Sequence, residues 1–176
     1  MGFSTTNTWP NNPQPNPWQA VINHQTSDNF APNFGAKYFI TAASDHNKLL
    51  TLDGSGQVYA AGYDGGLSQQ FRFTHDHNKF CLISEGQNKP LALSNAHDGG
   101  QVTVGPNHFN EISFEIIKNT VGEWAGKGYI IKDNSGKYAL DLTSESVPHG
   151  SKVVVWTVHN GANQTWRIIP VETYNT

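Results

Sequence analysis

From about residue 35 the chain breaks into short runs in which apolar and polar residues alternate. They read KYFITAA, KLLTL, GQVYAA, QFRF, KFCLI, PLALS, QVTV, SFEII, YIIK, YALDL, KVVVW and TWRII. A period of two places every second side chain on one face of a pleated strand, so each run predicts a half-buried strand. Gly, Asn and Asp separate the runs at intervals of roughly eight to twelve residues, the spacing of an all-β domain. No stretch carries the 3.6-residue apolar stripe of a helix.

The runs fall into three similar groups. The first is YFITAASDHNKLLTLDGSGQVYAAGYDGGLSQQFRF, the second FCLISEGQNKPLALSNAHDGGQVTVGPNHFNEISFEII, and the third YIIKDNSGKYALDLTSESVPHGSKVVVWTVHNGANQTWRII. Each opens with a strand, turns at Lys48, Lys89 or Lys137, and continues with a Leu-containing strand and then a Val-rich one. Each closes on an aromatic: Phe71, Phe114 or Trp166. Three groups of four strands predict a β-trefoil over residues 35–176, with the closing aromatics meeting in a shared core.

Residues 1–34 have a different texture. WPNNPQPNPW sets four prolines between Trp9 and Trp18, a composition that favours extended polyproline II and excludes helix and central strand. Two readings stand side by side: a disordered arm, or an arm whose indoles dock on the body or on a neighbouring subunit. The second allows a homo-oligomer.

Charged residues make up 14 % of the 176, against roughly 25 % in soluble proteins generally. With a net charge of -3 and no basic run, nothing tracks a phosphate backbone, so no nucleic-acid partner is expected. No window is apolar enough to span a bilayer. The start lacks a signal-peptide pattern, which fits cytoplasmic residence, with a non-classical export route or a signal already removed as alternatives. Gly2 to Thr6 match the loose myristoylation pattern, which arises often by chance. The single Cys81 lies in an apolar run and reads as a small buried hydrophobe.

The candidate chemistry lies in the third group. In YALDL, Leu140 and Leu142 turn inward and Asp141 outward. In KVVVW, Val153 and Val155 turn inward, leaving Val154 and Trp156 outward. Asn163 and Gln164 follow in the next loop. A carboxylate accepts charge-assisted hydrogen bonds from hydroxyls. An indole covers the C–H face of a pyranose, and amides both donate and accept. Together these suit a neutral sugar. The plainer reading makes Asp141 a surface charge, Trp156 a rim aromatic, and the two amides the closure of a turn before a core strand.

The closing motif Gln164–Thr165–Trp166, echoed as Gln69–Gln70–Phe71, resembles the Q-x-W of the ricin B-chain-type β-trefoil lectins. LLTLDGSGQV, FCLISEGQNKPLALS and GSKVVVWTVHNGANQTWRI are more similar still to the Euonymus-type lectin domain. The resemblance runs over roughly residues 35 to 172. It implies carbohydrate binding without catalysis or cofactor, at Asp141, Trp156, Asn163 and Gln164. Val154 stands where the ricin-type pattern often carries a polar residue, so a galactose- or mannose-type sugar is the expectation rather than galactose alone. In the first group Thr51 and Ser68 replace the acid and the Asn, and Asp53, Tyr59 and Gln69 are a possible second site. In the second, Ala92 and Glu111–Ile112 leave no site.

No enzyme pattern emerges. His75 and His77 lack third and fourth metal ligands at a recognisable spacing, and Cys81 lies away from any evident base. The Gly-rich DGGL and HDGG read as turns, not phosphate cradles. The rival is a β-trefoil protease inhibitor that presents Thr143–Ser151 as an exposed loop. Asn163–Gln164–Thr165 is also an N-glycosylation sequon, and a glycan there would obstruct the proposed site.

Overall fold

Twelve strands form among the described residues, where the alternation predicts them. The computed structural model describes residues 30–93, 96–105 and 113–174. The first group gives β1 (Tyr38–Ala42), β2 (Leu49–Leu52), β3 (Val58–Ala61) and β4 (Phe71–Asp76). The second gives β5 (Lys79–Ser84), β6 (Lys89–Leu93), β7 (Gly100–Val104) and β8 (Ser113–Lys118). The third gives β9 (Tyr129–Lys132), β10 (Tyr138–Val147), β11 (Gly150–Thr157) and β12 (Trp166–Pro170). Among the described residues helix is limited to two 3-10 turns, Leu67–Gln69 and Ala162–Gln164, and one α-turn, Val171–Tyr174.

Pairing follows a threefold rule. The first and last strands of each group pair at the closing aromatic: Tyr38 with Phe71, Phe80 with Phe114, Tyr129 with Trp166. Each last strand also pairs with the first strand of the next group, β4 with β5, β8 with β9 and β12 with β1. These six pairings close a barrel, and the hairpins β2–β3, β6–β7 and β10–β11 cap one end. This is a β-trefoil. Phe71, Phe114 and Trp166 are buried in one cluster, each stabilising the fold by about 1.5–3 kcal/mol through removal of apolar surface from water. The Trp166 indole N–H is satisfied by the Leu140 carbonyl at 3.0 Å.

The open end of the barrel is closed by a residue from the expected arm. Phe30 is buried and makes edge contacts with Phe73, Phe80 and Tyr129 at centroid distances of 5.0, 5.2 and 5.3 Å. Core packing therefore begins before residue 35. Burial pushes the Tyr129 phenol up to about 12, so it stays neutral there. Trp9 and Trp18 lie outside the described residues. Cys81 differs from expectation: it is half-buried on the outer face of β5, 3.9 Å from the Ser113 hydroxyl, because Phe80 and Leu82 take the inward positions.

The third hairpin is the asymmetric element. β10 and β11 run 10 and 8 residues, against 4 and 4 in the first hairpin. Its tip lies against β3 at Gly150, where a Cβ would come within 2.1 Å of the Ala60 carbonyl oxygen. Only glycine permits that approach.

Candidate functional site

β10 and β11 pair so that Leu140 faces Val155 and Leu142 faces Val153 on the core side. Asp141 opposite Val154, and Ala139 opposite Trp156, then share the outer face. Trp156 is 45 % exposed. Asp141 and Trp156 are diagonal neighbours across the ladder, about 7–8 Å apart at the backbone.

The outer face is not all open, and two expectations change. Asp141 is only 5 % exposed and Val154 2 %. Asp141 is roofed by the loop before β12. Asn163 Nδ2 donates to its Oδ1 at 2.7 Å, and Gln164 Nε2 donates to its Oδ2 at 3.0 Å. His159 Nε2 stands 3.5 Å from the same Oδ2. Val154 sits in the ladder between Asp141 of β10 and Gln101 of β7, and its side chain is buried there. A polar side chain at 154 would therefore not reach an open surface.

Gln164 lines nothing. It is fully buried and works as a latch: its Oε1 accepts from the His159 N–H at 2.8 Å and its Nε2 donates to the Thr157 carbonyl at 3.0 Å. The sequon Thr165 is buried too, its hydroxyl donating to the Gly161 carbonyl and accepting from Asn119 Nδ2. The sequon nitrogen of Asn163 is the atom bound to Asp141. What a ligand can use is the Trp156 face, the remaining acceptor and donor capacity of the half-buried Asn163 amide, and what is left of Asp141. A carboxylate offers about four lone-pair sites, and three donors already surround this one.

Two contributors were missed by sequence reasoning. His159 Nδ1 accepts from the Gly161 N–H at 3.0 Å, which places the neutral ring's proton on Nε2, facing Asp141. A Cβ at Gly161 would come within 2.7 Å of that Nδ1. The signal was in the repeat: Asp64 Oδ1 accepts from Gly66 N–H in the first group at the same spacing. Asp98 is the second. Its Oδ1 accepts from the Thr157 N–H and hydroxyl, both at 2.7 Å, and these two bonds hold its carboxyl below the usual range. It belongs to the turn whose Gly99 lies under the Trp156 ring.

The possible second site does not assemble. Gln69 is fully buried, bonded to Thr51 Oγ1, the Gly62 carbonyl and the Asp64 N–H, as Gln164 is in the third group. Asp53 and Tyr59 instead line a cavity bordered by the other two groups. The reason is register. Thr51 pairs with Tyr59 as Asp141 pairs with Val154, so the counterpart of Trp156 is Ala61. In the second group, Ala92 pairs with Thr103, so the corresponding residues are Ala92 and Gly105; Glu111 and Ile112 lie outside the described residues. Among the described residues no cluster of three or more His, Cys, Asp or Glu could hold a metal, and no helix is long and apolar enough to cross a membrane. His75 is exposed and rests against Phe34 and Phe80.

The sequence matches no protein-family model and no curated protein. Solved structures do match. The Macrolepiota procera ricin B-like lectin, solved with lactose, superposes with a TM-score of 0.67 at 23 % identity over 79 % of this chain and 98 % of its own. The fold is that of the ricin B-like β-trefoil lectins. The Rhizoctonia solani agglutinin gives 0.64 at 19 % identity, over 80 % of this chain and 99 % of its own. The C-half of the earthworm R-type lectin, solved with GalNAc, gives 0.54 at 17 % identity, over 77 % and 98 %. At these identities the likeness carries the fold.

Proposed function

We propose that the protein is a lectin that binds glycans without catalysis, through a shallow site in the third repeat. The sugar lies with its apolar face on Trp156 and its hydroxyls at the Asn163 amide, which Asp141 holds from beneath. One observation carries this reading. At these two diagonal positions of the outer face the three repeats hold Thr51 and Ala61, Ala92 and Gly105, and Asp141 and Trp156. The third alone combines an acid with an exposed aromatic, and the acid is fixed by Asn163, Gln164 and His159 before any ligand arrives. Preorganisation of that kind lowers the entropic cost of binding. The lactose and GalNAc in two neighbouring lectins make galactose-type sugars the first to test and mannose-type the next. One such site holds a monosaccharide at roughly millimolar strength, near -4 kcal/mol.

No feature of the described residues favours protease inhibition. Thr143–Ser151 is for the most part strand and tight turn, largely exposed and held to β3 at Gly150 and Ser151. A glycan array probed with the protein and with Trp156→Ala tests the proposal. Glycan signals bound by the first and lost or weakened in the second support it; an unchanged array rejects the site.

A further inference from the structure

Where the three hairpins meet, a second threefold pattern appears. The residue before the first inward valine of each hairpin's second strand is Gln57, Gln101 or Lys152. Each pairs with the residue two positions along the next strand: Gln57 with Thr103, Gln101 with Val154, Lys152 with Tyr59. The three valines, Val58, Val102 and Val153, are buried side by side as the floor of a cavity of about 380 Å³. A floor made of one equivalent residue from each repeat places that cavity on the pseudo-threefold axis of the cap.

Its walls break the symmetry. The long third hairpin raises Glu145, Pro148 and His149 on one side, and Tyr59 stands where the other repeats have Thr103 and Val154. The Tyr59 and His149 rings lie 6.2 Å apart. Asp53 completes the rim, its Oδ1 occupied by Ser55 and by the Gln57 N–H. Lys152 Nζ reaches Glu145 Oε2 at 3.4 Å.

We infer that this axial cavity is a second carbohydrate site, formed by all three repeats and unlike the one at Trp156. The chemistry selects the ligand class. The Tyr59 ring, above a floor of three nearly covered valines, offers the apolar face; Gln57, Gln101 and Lys152 donate; Asp53 and Glu145 accept. An anion would use only the donors and meet two carboxylates, and an amine would use only the acceptors. A polyhydroxylated ring with one C–H face uses both. The volume lies within the range of small-ligand pockets. Two unlike sites on one chain would let a single molecule bridge two glycans. The ligand class is the one proposed for Trp156, and the two sites are tested separately.

The experiment is calorimetry with lactose, N-acetylgalactosamine, mannose and N-acetylglucosamine on four proteins: the wild type, Trp156→Ala, Tyr59→Ala and the double variant. It is paired with methyl spectra of Val58, Val102 and Val153. Trp156→Ala should still bind one equivalent of at least one sugar at about millimolar strength, shifting the three valine methyls, and the double variant should bind none. Melting curves confirm that each variant is folded; if Tyr59→Ala is not, Gln101→Glu at the exposed mouth replaces it. The inference is overturned if Trp156→Ala binds none of the four sugars, or if the double variant still binds. Binding lost with Tyr59→Ala and untouched by Trp156→Ala would uphold the axial site and reject the third-repeat one.

Discussion

The loops that close the first and third repeats are built on one plan and end in different surfaces. In both, a buried glutamine accepts a backbone N–H five residues earlier, from Asp64 or His159, and donates to a carbonyl, Gly62 or Thr157. In both, that residue five positions earlier accepts from a glycine N–H. The difference is what the latch leans on: a neutral hydroxyl, Thr51, in the first repeat and a carboxylate, Asp141, in the third. The outer position above is Ala61 in one and an exposed Trp156 in the other. In both repeats the closing glutamine is therefore architecture. The proposed glycan site differs between the repeats at the two outer positions beside the latch, Asp141 and Trp156 against Thr51 and Ala61.

Breaking the latch in each repeat should give the largest effects, and unequal ones. Gln164→Ala removes its bonds to the His159 and Asn160 N–H groups and the Trp156 and Thr157 carbonyls and takes a partner from a buried carboxylate, a loss of about 3–5 kcal/mol. Gln69→Ala strands neutral groups only, about 2 kcal/mol. Denaturant unfolding of both variants checks the order, and equal losses would mean the carboxylate adds nothing. Asp141→Asn comes next. Both carboxylate oxygens face donors, so the new amide must point its own N–H groups at one of them. That costs about 2 kcal/mol, or roughly 5 °C in melting temperature, together with glycan binding at the third-repeat site. Thr51→Ala, the matching change in the first repeat, should leave binding intact.

Trp156→Ala should remove about 1 kcal/mol of stacking, enough to lose a millimolar ligand from that site, and barely move the melting temperature. The smallest effect belongs to Asp98. Its carboxyl is held below its ordinary value by Thr157, so the stabilisation is complete above pH about 4 and disappears as pH falls through the depressed value. The Thr157 amide resonance should follow that titration. Asp98→Ala should weaken glycan binding severalfold through the strand that carries Trp156. The first repeat has Gly62 at that position and no such tether.

The strands, the closing aromatics and the outward Trp156 were legible because a period of two dictates which face a side chain takes. It does not dictate what lies over that face. Asp141 points outward as the alternation requires and is still buried, because its cover comes from a turn more than twenty residues later. The sequence pattern alone allows Tyr59 as a partner for Gln69. The Gln57–Gln101–Lys152 register moves the correspondence by two residues, to Ala61. Phe30 stands alone in a proline-bearing stretch without alternation, so nothing local marked it as the plug of the barrel.

The most direct measurement is a sugar titration followed through the side-chain N–H resonances of Trp156, Asn163, Gln164 and Gln69. Lactose, N-acetylgalactosamine or mannose should shift the Trp156 indole and the Asn163 amide along one saturating curve. Gln164 should follow weakly through Asp141, and Gln69 should stay fixed. A curve in which Gln69 moves and Trp156 does not, or in which neither repeat responds to any of the three sugars, would contradict the assignment of the glycan site to the third repeat.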